Sequence, residues 1–490
     1  MEDAMEYKIT GYRPEKLFHF FEEISAIPRG SGNEKEISDY LVRFAKERGL
    51  WVWQDDVYNV IIRKEAGPGD EARPPVMLQG HLDMVCDNQA GTVHDFEKEG
   101  IHLAVKDGIL SADETTLGAD NGVAVAMMMA VLDSSDLRHP PLECVFTTEE
   151  ETGLGGAKAL DKSLLRARTM INLDSEEEDT ATVSCAGGLR IRFAKPVRRK
   201  KAKGTLLEVR IEGLLGGHSG SDIDKERQNA ALLMARMADE LIRNTGAELV
   251  TFEGGTKDNA IPRECTAAFL CRDRDQAKEA EERARFLARQ MAEEVCTAEP
   301  DFTCRVRTGE EAAIRVLSQE DTAAFTGVLR LAPNGVLRRK AGADGFVIAS
   351  SNLGIVRTEE DRLEILFAPR SSSASIQSDT KERFRLLADT FGFEAVYSGE
   401  YPGWDYREHS RVREIFQESY RKLTGKELKI EAIHAGLECG IFVGALPDLD
   451  AISVGPTLYN VHTPDECMPL DSLERFYRLL TDVLERLAEE

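Results

Sequence analysis

Four short apolar runs in this chain each lead towards a residue able to hold a cation or move a proton. Residues 76–79 lead to His81, 142–148 to Glu150 and Glu151, 169–173 to Asp174, and 451–454 to His462. Apolar runs of this length, bounded by glycine and polar residues, read as strands. Helical stretches precede and separate them, among them 34–48 and 121–132. That alternation predicts an α/β domain with a mostly parallel, helix-covered sheet. The carboxyl ends of parallel strands line one edge, where ligands bind. His81 and His462 can meet there only if a single fold uses both ends of the chain.

Further strands are expected at 51–53 and 57–62, and helices at 14–25, 411–423 and 472–488. The middle of the chain reads differently. A strand at 205–211 is followed by GGHSGSD and a helix at 227–242. Another at 363–367 is followed by PRSSSASIQSD and a helix at 380–391. The repeated order of strand, Ser-rich turn and helix reads as an internal duplication of an α+β unit, of ferredoxin-like type. The charged stretch 275–296 is an amphipathic helix with a solvated face. The expected architecture is a catalytic domain, 1–187 with 396–490, interrupted by an inserted α+β lid domain at 188–395. A length of 490 residues accommodates both.

Composition excludes several function classes. The net charge is −25, which argues against a nucleic-acid partner, because phosphate contacts need a basic surface. The one basic run, Arg198, Arg199, Lys200, Lys201 and Lys203, stands between Pro196 and Gly204 and reads as a solvated loop. No apolar stretch reaches the roughly 18 residues of a membrane span. The longest, 123–132, reads as a buried helix. The opening MEDAMEYKIT has no apolar core of a leader peptide. The nine cysteines show no CxxC spacing, so reduced thiols in a cytoplasm are expected rather than a disulfide framework. Cys86, Cys144 and Cys185 are expected as small buried hydrophobes.

The ligand chemistry of the strand-end residues is coherent. Zinc accepts imidazole nitrogen and carboxylate oxygen at about 2.0–2.2 Å. Two histidines and three carboxylates can hold two divalent ions about 3.5–4 Å apart, with one carboxylate bridging. Asp120, delivered by Gly118-Ala119 and placed to cap the following helix, is expected to bridge. Without cations, carboxylates packed this closely would be costly to bury. Asp83, two residues after His81 on an extended segment, can accept the second imidazole N–H and fix the tautomer. Glu150 and Glu151 are adjacent and point apart. One can ligate while the other acts as general base on a water made acidic by the metals, for attack on an amide carbonyl. The run 147–153 leaves their order open. Singly, each residue has a plain structural reading as a surface pair, a solvated turn or a helix cap. Together, on strand ends of one fold, they point to a site.

The chain resembles the co-catalytic zinc peptidases related to aminoacylase and carboxypeptidase, in their aminoacyl-histidine dipeptidase branch. The resemblance rests on IPRGSGNE at 27–34, QGHLDMV at 79–85, LGADNGVA at 117–124, TTEEETGLGGA at 147–157 and NLDSEE at 172–177. It continues through GGHSG around Gly217, NAIPRE at 259–264, HAGLECG at 434–440 and HTPDE at 462–466. It implies that Gly153 aligns with the family's Glu-Glu-x-Gly pattern, making Glu150 the base and Glu151 a ligand. His81 and Asp174 would then bind one metal, Glu151 and His462 the other, and Asp120 both. Aspartate at position 174 goes with amino- and dipeptidases in this family. His218 resembles the residue that polarises the scissile carbonyl, often across a dimer. Arg370 resembles the clamp for the substrate carboxylate, a bidentate task suited to arginine. Asn259 and Gly436 are expected to line the same pocket. The expectation is a cytoplasmic, homodimeric dipeptidase with two divalent ions, zinc before cobalt or manganese, all of which accept this donor set. Its substrates would be small peptides. The competing readings are an N-acyl-amino-acid deacylase or carboxypeptidase on the same site, disfavoured by Asp174 and HAGLECG, and a non-catalytic metal-binding scaffold, disfavoured by the complete ligand set.

Overall fold

Beyond Asn121, the segment GVAVAMMMAVLD has no polar face, so the helix it forms must be covered on every side. That helix, Ala119–Asp133, lies between strand Val76–His81 and helix Glu15–Ser25. Gly80 makes the close approach possible. A Cβ there would meet Asn121 Oδ1 at 2.4 Å and the Ala124 Cβ at 2.5 Å. The computed structural model describes residues 7–67, 70–342 and 345–489. The first six residues, part of the segment read as lacking a leader, lie outside these.

The first unit runs through Cys185, then takes in Tyr406–Ala432 and the chain from Leu437. Its sheet has eight strands in the order Trp51–Gln54, Val60–Lys64, Leu142–Thr147, Val76–His81, Thr169–Asn172, Asp450–Ser453, Thr180–Cys185 and Lys429–Ile433. The central four, from Leu142–Thr147 to Asp450–Ser453, run parallel. The first two strands and Thr180–Cys185 pair antiparallel. The sheet is therefore mixed, with the parallel part at its centre. That centre is buried except at the first residues of its last two strands, Thr169 and Asp450, as a sheet covered on both faces requires. Helices Arg411–Thr424 and Leu470–Glu489 pack on each other.

The second unit, Ala186–Asp405 with Ile433–Gly436, is built on antiparallel pairs. Its strand order is Thr303–Leu317, Arg199–Glu212, Cys265–Cys271, Glu248–Gly254, Val347–Thr358, Arg362–Ser371, Gly187–Pro196 and Glu394–Tyr401, with Gly335–Arg339 added on Val347–Thr358. Two βαββαβ modules account for this. One runs from Arg199 to Leu317. The other begins with Gly187–Pro196 and resumes at helix Gln319–Leu331. They join where Glu253 and Gly254 meet Arg357 and Val356. Helices Arg274–Val295, Ala230–Thr245, Gln319–Leu331 and Ala374–Phe391 pack in series. One apolar core, including Phe193, Phe252, Phe325, Phe367 and Phe384, spans both modules.

Several sequence expectations need correction. The two stretches read as repeats are not equivalent: Arg199–Glu212 is the first strand of its module, whereas Arg362–Ser371 is the third of the other. The latter corresponds to Cys265–Cys271. The basic run is not a loop. Arg199 to Lys203 open strand Arg199–Glu212 opposite Thr303–Leu317. Gly204 lies inside that strand because a Cβ would strike the Cys271 carbonyl. The boundary expected at 395 cuts strand Glu394–Tyr401, which pairs with Gly187–Pro196. The second unit also reclaims Ile433–Gly436, since the Ala186 N–H donates to the carbonyls of Ile433 (3.2 Å) and Ala435 (3.0 Å). Cys144 and Cys185 are buried, but Cys86 is exposed.

Candidate metal centre

Three neighbouring parallel strands deliver most of the site. His81 ends the middle strand, opposite Thr147 on one side, and Gln79 lies opposite Asn172 on the other. Glu150 and Glu151 follow Thr147, and Asp174 follows Asn172, so both reach the same sheet edge as His81. His462 comes from a loop after the fourth parallel strand, Asp450–Ser453.

Asp120 stands at the centre of these groups. Its Oδ1 is 3.1 Å from His81 Nε2, and its Oδ2 is 3.1 Å from His462 Nε2. His81 Nε2 is also 3.5 Å from Asp174 Oδ1, and His462 Nε2 is 3.1 Å from Glu151 Oε1. Asp120 does not cap its helix as expected. Gly118 is in the left-handed region at φ +69°, and Asp120 and Asn121 have non-helical backbone angles that break the helix there, with the Asp120 oxygens facing imidazoles instead of first-turn N–H groups. The carboxylate is thereby left to the two imidazoles.

Among the described residues, the groups of ligands close enough to hold an ion are His81, Asp120 and Asp174; Asp120, Glu151 and His462; and His81, Glu150 and Glu151. The residues fit a divalent cation on two further grounds. Glu151 Oε1 is buried and makes no hydrogen bond, although His462 Nε2 is near. Charge is also crowded. Burial, then Asp174, Glu438 and Glu151, push the Glu150 carboxyl up to about 9, against the pull of His81. Burial and the neighbouring Asp120 and Glu151 raise Asp174 to about 6. His462 Nε2–H donates to Asp120 and lies against the Glu151 carboxylate, which raises its pKa to about 11. Burial disfavours charge on Asp120, yet His462 and His81 hold its carboxyl below the usual range. A cation would replace these protons as the counter-charge.

Asp83 is fully buried and has more contacts than its sequence position suggests. His81 Nδ1 lies 3.0 Å from its carbonyl and 3.3 Å from its Oδ1. The same carboxylate accepts the N–H of Glu150 at 3.0 Å, the N–H of Glu151 at 3.2 Å and the Ser31 hydroxyl at 2.8 Å. Glu149 turns the chain at φ +50° and donates its N–H to Glu34. Glu438, in the HAGLECG segment, was not singled out from sequence. It is fully buried, accepts from Thr147 Oγ1 at 2.8 Å and from Gln79 Nε2, and burial lifts its carboxyl to about 7. A lone acid in the apolar helix Glu438–Ala445 was the available signal.

The four remaining candidates belong to the second unit. His218 lies on the short pair Gly217–His218 with Ala260–Ile261. Its Nδ1 accepts the N–H groups of Gly220 at 3.3 Å and Ser221 at 3.2 Å. That assigns the proton of the neutral ring to Nε2. Burial and Arg370 lower its pKa, which keeps the ring neutral. Asn259 adjoins the same pair and accepts the Ser219 N–H through its carbonyl at 2.8 Å. Arg370 Nη1 donates to the Tyr401 hydroxyl at 3.0 Å, while its buried Nε has no hydrogen-bond partner. A Cβ on Gly436 would lie 2.9 Å from the Tyr401 ring, and one on Gly220 would strike the His434 carbonyl. His218, Arg370 and Gly436 are thus gathered around Tyr401 and His434.

Residues 77–486 match the family model described as peptidase family M20/M25/M40. The chain is 35% identical over 483 residues to the cytosol non-specific dipeptidase of Escherichia coli K12, covering 98% of this chain and 99% of the relative. The crystal structure of an aminoacylhistidine dipeptidase from Vibrio alginolyticus superposes with a TM-score of 0.92 at 34% identity, covering 97% of each chain. A Staphylococcus aureus tripeptidase shares the fold, with a TM-score of 0.56 at 18% identity over 98% of this chain and all of that one. The chain belongs to peptidase family M20/M25/M40.

Proposed function

We propose that this chain is a metal-dependent dipeptidase acting on aminoacyl-histidine and other dipeptides. The observation that carries the reading is Asp120, whose two oxygens each face a different imidazole in a buried cluster of carboxylates. The Escherichia coli and Vibrio alginolyticus relatives, each above 30% identity, are both named as dipeptidases. Membership of the family implies divalent metal binding. The finer reading is two ions, zinc first, with His81 and Asp174 at one position, Glu151 and His462 at the other, and Asp120 shared. Bound cations would supply Lewis acidity, polarising the carbonyl and acidifying a water.

The protein's own groups perform the rest. Glu150 is the general base: it takes a proton from the attacking water and returns it to the leaving amine. Asp83 holds His81 in one tautomer and fixes the Glu150 and Glu151 backbone. His218 presents Nε2–H, a donor suited to a carbonyl oxygen. Arg370, with Nε unpartnered and Nη1 steadied by Tyr401, suits a carboxylate, and Asn259 and Gly436 line the same subsite. A cytoplasmic location and a homodimer formed through the second unit complete the proposal. Among the described residues no helix is long and apolar enough to cross a membrane.

Metal analysis combined with a hydrolysis panel tests the reading. Free dipeptides, including β-alanyl-histidine, should be cleaved, and N-acetyl amino acids should not. Preferential cleavage of the N-acetyl compounds would move the assignment to a deacylase. Light scattering across a concentration series tests the dimer.

A further inference from the structure

The two acceptor oxygens of Glu466 are both occupied by one segment of backbone. Oε2 accepts the N–H of Leu117 at 2.9 Å and of Gly118 at 3.0 Å. Oε1 accepts the N–H of Ala119 at 2.8 Å and of Asp120 at 3.2 Å. The residue is 2% exposed, so water does not compete freely for these donors. The left-handed Gly118 allows four consecutive N–H groups to converge on one carboxylate, an anion-binding nest built into the chain.

Glu466 also sits four residues after His462. The loop between them is stiffened locally. Asn460 and His462 have positive φ, at +53° and +63°. Tyr459 and Cys467 exchange backbone hydrogen bonds at 2.9 and 3.0 Å across its base, and the Thr463 hydroxyl donates to the Asn460 carbonyl at 2.7 Å. The side chain of His462 is 47% exposed, so its own surroundings hold it weakly, and the buried anchor of its loop is Glu466. On the other side of the turn, the buried Arg29 donates to the carbonyls of Leu82, at 3.0 Å, and Gly118. Segments carrying His81, Asp120 and His462 are therefore joined through Arg29 and Glu466.

We propose that Glu466 is a positioning residue: by holding residues 117–120 against the His462 loop it sets the Asp120–His462 spacing, and with it the affinity of the site for its divalent cations. Arg29 ties the His81 segment to the same turn. Metal sites tolerate ligand displacements of only about 0.2 Å, so a small slip of this turn would act on every ligand pair that includes Asp120. The inference rests on the ligand assignment proposed above.

Glu466→Gln tests it, because glutamine replaces one acceptor oxygen by an amide that faces N–H donors. Cobalt(II) binding is followed by visible absorbance in competition with a chelator, with no substrate present. The expected result is about 10- to 100-fold weaker binding, the usual effect of losing an outer-sphere support. The Michaelis constant for a dipeptide at saturating metal should not change. Leu473→Ala, a fully buried core change in the same unit, serves as the stability control and should retain wild-type cobalt affinity despite a lower melting temperature. Wild-type affinity in Glu466→Gln, or an equal loss in Leu473→Ala, would overturn the proposal. So would failure of both Glu466→Gln and Glu466→Asp to fold, since that would make the residue a determinant of folding. A wild-type protein that binds no cobalt would instead remove the ligand assignment itself.

Discussion

The carboxylate of Asp83 accepts the backbone N–H of Glu150 at 3.0 Å. One residue thus orients the turn that carries the proposed base while its other contacts steady His81. Asp83→Asn keeps the size but replaces an acceptor oxygen by a donor among N–H groups. The change should lower metal affinity or kcat about 10- to 100-fold. Metal content and kinetics at saturating metal separate the two effects. A variant indistinguishable from wild type in both would mean that Asp83 is dispensable.

Glu150 should be separable from the ligands. Glu150→Gln keeps the shape and removes the basic oxygen. Metal should be retained, and kcat should fall about 10²- to 10⁴-fold, the usual contribution of a positioned base. Retained metal with retained kcat would shift the role to another carboxylate, with the buried Glu438, whose charge acts on Glu150, one alternative.

Much of this site could be read before the fold was known, for a physical reason. His81, Glu150, Glu151 and Asp174 follow buried parallel strands, and a buried strand is an unbroken apolar run that sequence displays directly. Asp120 lies against His81 and His462, but the helix-capping role expected of its side chain is not seen. A side-chain cap is inferred from the residue before a periodic segment; Asp120 does have the non-helical backbone of such a residue, but its oxygens face His81 and His462. Glu466 and the turn-holding contacts of Asp83 were invisible because their partners are backbone N–H groups, which every residue except proline carries. The edge of the second unit was misjudged because antiparallel pairing of Glu394–Tyr401 with Gly187–Pro196 joins segments about 200 residues apart. The basic run was taken for a loop because Gly204 punctuates it, yet that glycine serves close strand contact.

Gly80 offers a packing test at the site's edge. An added Cβ would lie 2.4 Å from Asn121 Oδ1 and 2.5 Å from the Ala124 Cβ, and neither the helix nor the strand can give way cheaply. Gly80→Ala should cost about 1–3 kcal/mol, as overpacking of a dense core does. It should also loosen metal, because Asp120 lies at the start of the helix that would move and the strand ends at His81. Thermal melting of metal-free and metal-loaded protein reads both effects. An unchanged melting temperature would mean that the close approach is not constrained.

His434, which is not among the candidate ligands, supplies a pH dependence of its own. It is buried in the second unit with Nε2 2.7 Å from the Ser350 hydroxyl. Burial, then the charge of Arg370, lower its pKa to about 4. The folded protein therefore holds the ring neutral, whereas the unfolded chain protonates it near 6.5. Between those values the unfolded state binds more protons, so stability falls as pH falls. The loss begins as pH drops through about 6.5 and levels off below about 4. At pH 5 it amounts to about 2 kcal/mol. His434→Gln cannot titrate. It should be less stable than wild type at pH 8, having lost a fitted hydrogen bond, and that deficit should shrink by about 2 kcal/mol on going to pH 5. Urea unfolding of both proteins at several pH values measures the difference directly. A deficit that stays constant from pH 8 to 5 would show that His434 is not held neutral by its burial beside Arg370.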